Sequence, residues 1–322
     1  MKAVLPSLAI AIGLLAAVAA AAQVYPSRPI SLVVPYMAGN GADTVARIIA
    51  AQMAASLGQS VIVENVPGAA GSVGVGRVAR SAPDGYTIVE GNWSTHVADG
   101  AIYPLHYDVL NDFAPIALVA SSPLLIASRK NLPANTLKEL IAWLKSNSGR
   151  ATEWTNGPGS IMHVAGLLFQ RETGTDFQFV PYRGTAMSDL VAGRIDLSIS
   201  LPPDPLAQLR AGNIKVYAVT AKNRLAAAPD VPTVDEAGVP GLYTSAWFGL
   251  WAPKNTPEEI TTRLNAAIIA ALADPAVRAK LGDIGLEVPP REQQSPEALK
   301  AFQKSEIDKW WPLIKQADIK PE

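Results

Sequence analysis

The amino-acid sequence predicts an α/β protein built as two lobes around a ligand cleft, and three observations carry that reading. Strand-like and helix-like patterns alternate almost throughout, which points to parallel sheets joined by helical crossovers. Two apolar extended runs, Ile116–Ala127 (broken by Ser121-Ser122-Pro123) and Ser245–Ala252, lack a matched helix and read as strands passing between lobes. Two glycine-rich turns, Gly39-Asn40-Gly41 and Gly157-Pro158-Gly159, each end a short extended segment and open a helix. The crossings divide the chain into lobe 1, residues 23–122 plus 246–322, and lobe 2, residues 123–245. Two α/β lobes joined in this way form a layout that closes around a ligand by hinge motion.

Taken in order, residues 1–22 read as a secretory signal. Met1-Lys2 is a short positive start, Ala3–Ala17 an apolar core, and Ala20-Ala21-Ala22 the small residues a signal peptidase takes. A membrane anchor is the rival reading. The alanine richness and small-residue end favour cleavage, so the mature chain is expected to begin near Gln23. No later stretch is apolar for long enough to span a bilayer. Ile30–Val34, Ser60–Glu64 and Tyr86–Glu90 read as strands, and Ala42–Leu57 as a helix stopped by Gly58. Thr136-Leu137-Lys138-Glu139 is a capping box that opens a further helix. Thr256-Pro257-Glu258-Glu259 is a second, with proline at the first helical position. Ser295-Pro296-Glu297 starts a last long helix that carries Trp310 and Trp311.

Composition narrows the function. There is no cysteine, hence no disulfide and no lipidation cysteine, so the exported chain is expected to diffuse freely in a Gram-negative periplasm. Lys plus Arg total 27 and Asp plus Glu 28, and no basic block or arginine–aromatic stripe occurs, which argues against nucleic acid. His96, His106 and His163 form no HExxH, and there is no Asp-rich calcium loop, so neither metal nor cofactor is expected.

The two turns carry the chemistry. A helix N-terminus presents unpaired N–H groups and partial positive charge, and holds an anion without a cationic side chain. Neither turn has the GxxxxGK[ST] of a P-loop. Two such termini facing across a cleft suit a small carboxylate better than a nucleotide. The bland alternative is an ordinary strand-to-helix connection at each place.

The ordered motifs resemble the Bug receptors, the solute-binding proteins of tripartite tricarboxylate transporters. Tyr25-Pro26-Ser27-Arg28-Pro29-Ile30 is similar to the family's start, and Val34-Pro35-Tyr36-Met37-Ala38-Gly39 with Asp43 and Ala46-Arg47 to its first ligand loop. Val63-Glu64-Asn65, Pro67-Gly68-Ala69, Gly71 and Ala82-Pro83-Asp84-Gly85-Tyr86-Thr87 follow in the family order. So do Asp112-Phe113, Val180-Pro181-Tyr182-Arg183-Gly184, Trp247-Phe248-Gly249-Leu250 and Ala252-Pro253. The resemblance implies a two-lobed periplasmic-binding-protein (Venus flytrap) fold, a small organic acid as ligand and a membrane permease as partner. It implies that the ligand carboxylate sits between the first loop and Asn156–Ser160, held largely by main-chain N–H groups and water. Three departures bear on the ligand: Ala42 in place of a threonine, a shortened Gly184–Ser188 segment, and Ser200-Leu201 where an acidic residue and asparagine are common.

The expected contact set is Tyr36, Ala38, Gly39, Asn40, Gly41, Ala42 and Asp43 in the first loop, and Asn156, Gly159, Ser160 and His163 around the second. Trp93, Ser94, Thr95 and His96 follow a strand's C-terminal end, and Thr185, Ala186 and Pro203 complete the set. Asp43, acidic at an anion site, is read as pairing with Arg47 one helical turn on. His163 either touches ligand or packs its helix. Tyr36 and Trp93 are expected to flank the ligand body, which favours a mono-carboxylate over citrate, although Arg183 could reach the cleft.

Enzyme readings fare worse. Ala70 spoils a GxSxG elbow at Gly71-Ser72-Val73-Gly74, and Ser94, His96 and Asp99 are neighbours in sequence rather than a triad. Gly74-Val75-Gly76-Arg77-Val78-Ala79 matches GxGxxA, but a Pro/Gly-rich loop separates it from the preceding strand. The chain is read as a monomeric binding protein and not an enzyme, with a receptor feeding a sensor kinase, or a secreted hydrolase, as alternatives.

Overall fold

The computed structural model describes residues 25–182 and 185–320. Residues 1–22, read above as a signal, and Arg183 lie outside the described residues. The chain runs β1 (Ile30–Val34), α1 (Gly41–Leu57), β2 (Val61–Asn65), α2 (Ser72–Ala79), β3 (Thr87–Asn92), α3 (Asp99–Ile102) and β4 (Phe113–Pro123) in lobe 1. Lobe 2 holds β5 (Leu125–Arg129), α4 (Leu137–Ser146), β6 (Thr152–Thr155), α5 (Ile161–Thr173) and β7 (Gln178–Pro181). It continues with α6 (Met187–Val191), β8 (Leu197–Ser200), α7 (Pro203–Arg210) and β9 (Ile214–Val219). The chain then returns through β10 (Ser245–Pro253), α8 (Glu258–Ala273), α9 (Pro275–Asp283) and α10 (Pro296–Gln316).

Each lobe has a five-stranded mixed sheet, ordered β2-β1-β3-β10-β4 in lobe 1 and β7-β6-β8-β5-β9 in lobe 2. The orders place the two glycine-rich turns. β1 is parallel to β2 on one side and β3 on the other, so successive crossovers leave it in opposite directions. β6 stands in the same relation to β7 and β8. In such sheets the crevice beyond the carboxyl end of the strand where order reverses is the natural ligand site. The first turn follows β1 and the second follows β6, so each lobe puts its turn at that point.

Alternation of side chains along β1 sends its apolar residues to both faces of the sheet. Ile30, Leu32 and Val34 pack with α1 residues such as Val45, Ile49 and Met53, while Val33 joins Val75 and Val78 of α2. Asn40 caps α1 by accepting a hydrogen bond from the Asp43 N–H at 2.9 Å, and Gly58 ends it in the left-handed conformation at φ 68°. Helix α4 starts at a Thr136 cap that accepts from the Glu139 N–H, whereas the Glu139 carboxylate reaches one residue further back, to the Asn135 N–H. Thr256 does not cap α8. Its hydroxyl donates to the Pro253 carbonyl at 2.8 Å, Pro257 stays extended at ψ 142°, and the helix begins at Glu258. The Thr256 N–H and hydroxyl both donate to the Pro253 carbonyl, so neither is left for the box.

The crossings β4 and β10 pair antiparallel along their length, from Phe113↔Pro253 to Pro123↔Ser245. One apolar core runs across them, from Trp93, Trp247 and Trp310 of lobe 1 to Leu124, Ile126 and Met162 of lobe 2. Helix α10, capped by Ser295, closes it: Trp310 is fully buried and meets Trp93 edge-on at 5.6 Å, and Trp311 Nε1 donates to the Val97 carbonyl. No single helix among the described residues is long and apolar enough to cross a membrane.

Candidate functional site

The first turn is built around one carboxylate. Asp43 Oδ2 accepts from the Gly39 N–H and from Arg47 Nε, both at 2.9 Å, while Oδ1 accepts from Asn65 Nδ2 at 2.9 Å. Asn65 Nδ2 also donates to the Tyr36 carbonyl. The Arg47 guanidinium, with these further donors, holds the Asp43 carboxyl down at about 2. Asp43 therefore pins both ends of the turn to α1 and β2, and Arg47 offsets its charge. The consequence lies one turn earlier. The Gly41 and Ala42 N–H groups open α1 and donate no hydrogen bond among the described residues. A Cβ placed on Gly41 would meet nothing within 4 Å.

The second turn is organised differently. Gly157 and Gly159 are left-handed, at φ 100° and 78°, conformations glycine adopts without strain. The Gly159 N–H donates inward to His163 Nδ1 at 3.1 Å, and Ser160 caps α5 by accepting from the His163 N–H. His163 sits half-buried, edge-on to Phe179, and burial lowers its pKa, consistent with a neutral ring that accepts at Nδ1. The donors left open are the Ile161 and Met162 N–H groups. A Cβ on Gly159 would come within 2.7 Å of Ile102 and 3.6 Å of Ile319, so this turn abuts lobe 1.

The cavity beside the second turn has a volume of 340 Å³. Of the expected contacts, Asn156, Thr185 and Pro203 line it. Trp154, Met162, Ser200, Leu201 and Asp204 line it too and were not in the expected set. Ser200 and Leu201 close β8 and Asp204 opens α7, so the strand-end rule that singled out the turns marks these positions as well. Ala186 is buried at the start of α6, 1% exposed, and offers no side-chain surface.

The segment after β3 departs most from expectation. Trp93 is 2% exposed and packed on Trp310, so it is a core residue, not an aromatic wall for ligand. His96 is fully buried, stacked on Trp251 at 4.0 Å, with Nδ1 3.0 Å from Thr95 Oγ1. Burial drives its pKa down to about 3. Thr95 is also fully buried; its hydroxyl accepts from the Asn92 N–H. Large rings after a strand end can point into the sheet's helical cover as readily as into the cleft, and here the room left by Gly91 draws the His96 ring inward. A Cβ at Gly91 would lie 2.1 Å from His96 Nδ1. Tyr36, by contrast, remains partly exposed and donates its hydroxyl to Asn92 Oδ1 at 3.2 Å.

Buried acids lie beneath both walls. Glu90 of β3 is 1% exposed, neither carboxyl oxygen finds a partner among the described residues, and burial with the Asp43 charge raises its pKa well above the usual range. Burial likewise pushes Asp99 up to about 8 and raises Glu153 of β6, for which Gly166 of α5 makes room. No group of three or more His, Cys, Asp or Glu among the described residues could hold a metal ion.

Comparison with known proteins gives the family and the fold. The family model of the tripartite tricarboxylate transporter family receptor matches residues 45–319. MatC from Rhodopseudomonas palustris, solved with bound malate, is 39% identical with a TM-score of 0.74, the match covering 90% of this chain and all of that one. The periplasmic binding protein BugD is 36% identical with a TM-score of 0.73, over 92% of this chain and all of its own. The R. palustris protein Rpa4515, solved with adipate, is 34% identical with a TM-score of 0.76, over 92% and 100%.

Proposed function

The chain belongs to the tripartite tricarboxylate transporter receptor family, and from that premise we propose how it captures its ligand. It is a solute-binding receptor for a small organic carboxylate, held in the cleft between two lobes. The carboxylate bridges the open N–H groups of Gly41 and Ala42 on one lobe and of Ile161 and Met162 on the other. Tyr36, Asn40, Asn156, Thr185 and Pro203 flank it, while Asp43 and His163 position the turns. The observation that carries this reading is the pairing of two unfilled helix N-termini with the two points where sheet order reverses. The lobes part at the Pro123 and Ser245 ends of the crossing strands, which act as the hinge.

The receptor works in the periplasm as a monomer after removal of residues 1–22, and passes its ligand to a membrane permease. The relatives solved with malate and adipate support a carboxylate ligand here. A thermal-shift screen of organic acids tests the reading, because a ligand that binds only the folded state raises the melting temperature. Acids should raise it and their amides should not; equal shifts from both would overturn the carboxylate assignment.

A further inference from the structure

The 340 Å³ cavity runs from the start of α5 to the start of α7, since Met162 and Asp204 both line it. The two ends differ in charge. At α5 the first N–H groups are open and no acidic side chain stands in the first turn. At α7 the first position is Pro203, which has no N–H, and the second is Asp204, whose carboxylate occupies the field of its own helix N-terminus. Asp204 is exposed and makes no ion pair or side-chain hydrogen bond among the described residues. Between the two ends the wall is apolar at Trp154, Met162 and Leu201, the last 39% exposed, and neutral polar at Asn156, Thr185 and Ser200. Among the described residues no Lys, Arg or His lines the cavity. Arg183 precedes Thr185 in sequence and lies outside the described residues.

We propose that Leu201 and Asp204 determine specificity by refusing a second carboxylate, so that the ligand is a mono-carboxylate with an apolar body. This rests on the reading of the protein as a carboxylate receptor. A diacid held at α5 by one end must bring its other end among apolar and neutral polar side chains that offer no cation among the described residues, or beside a like charge at Asp204; both disfavour it against a monoacid. A monoacid lays a methylene chain on Leu201, Met162 and Trp154, burying apolar surface at no electrostatic cost.

Matched acids of equal length separate the possibilities. Titration calorimetry of the full mature chain with hexanoate, adipate and hexanamide, repeated with propionate/malonate and octanoate/suberate pairs, should show each monoacid binding at least about tenfold tighter than its diacid. Asp204→Asn should raise diacid affinity about three- to tenfold while leaving monoacids within about twofold. Leu201→Ala should weaken hexanoate about five- to twentyfold and adipate less. Diacids binding tighter than matched monoacids would overturn the proposal while leaving the carboxylate receptor intact. Hexanamide binding as tightly as hexanoate would instead overturn the receptor reading itself.

Discussion

Replacing Gly41 by valine should abolish ligand binding without harming the fold. Gly41 opens α1, is not among the left-handed glycines, and has no atom within 4 Å of where a Cβ would stand. The new side chain therefore projects into open space in front of the Gly41 and Ala42 N–H groups and keeps a carboxylate from reaching them. A hydrogen bond to a charged group contributes about 1.5–3 kcal/mol, so losing both donors costs about 3–6 kcal/mol. That corresponds to roughly a 10²- to 10⁴-fold rise in Kd. The ligand-free melting temperature should hardly move, because valine and glycine differ in helix propensity by only a few tenths of a kcal/mol, in valine's favour. Gly41→Ala, adding only the Cβ, should fall between. Calorimetry with the acid that most raises the melting temperature, alongside melts of the ligand-free variants, makes the measurement. A folded Gly41→Val that binds within about twofold of wild type would refute main-chain capture at α1.

Gly159→Val is the contrasting case: its left-handed φ of 78° and a Cβ 2.7 Å from Ile102 should lower the melting temperature as well as binding. Asp43→Ala strands the Gly39, Asn65 and Arg47 donors and should destabilise by about 1–3 kcal/mol in denaturant titration, with weaker binding. Asp99, pushed up to about 8 from its ordinary 3.8, contributes stability that is complete below pH 3.8 and lost as pH rises through about 8. Asp99→Asn should therefore raise the melting temperature at pH 8 and flatten its decline between pH 6 and pH 8. His96, driven to about 3 from 6.5, acts in the other direction: its contribution is present above pH 6.5 and fades as pH falls toward 3, so His96→Gln should blunt acid unfolding. N-terminal sequencing of exported protein should find a start near Gln23; an intact Met1 in a membrane fraction would contradict cleavage.

The sheets and turns were legible because their signals are local. The β1 run, the Gly58 end of α1 and the Ser295 start of α10 depend on neighbours a few residues away, and each formed as its sequence dictates. The crossing strands were legible because neither apolar run had a helix matched to it in the alternating pattern. What stayed hidden depended on distant packing. Nothing in Asn92-Trp93-Ser94-Thr95-His96 says that Trp310, more than two hundred residues on, takes the Trp93 ring or that Trp251 stacks on His96. Equally, Leu201 and Asp204 enter the cavity because β8 lies beside β6 in the sheet, and sheet order is not written in any one segment. The Thr256 box failed because the Thr256 N–H and hydroxyl turn back to the Pro253 carbonyl at the end of β10.

Capture of one carboxylate by main-chain donors from both lobes is the central claim, and an amide NMR titration with the tightest-binding acid tests it most directly. The Gly41, Ala42, Ile161 and Met162 N–H resonances should move downfield together at saturation, more than any Lys or Arg side-chain signal. Shifts confined to one lobe, or led by a side-chain guanidinium or ammonium group, would contradict it.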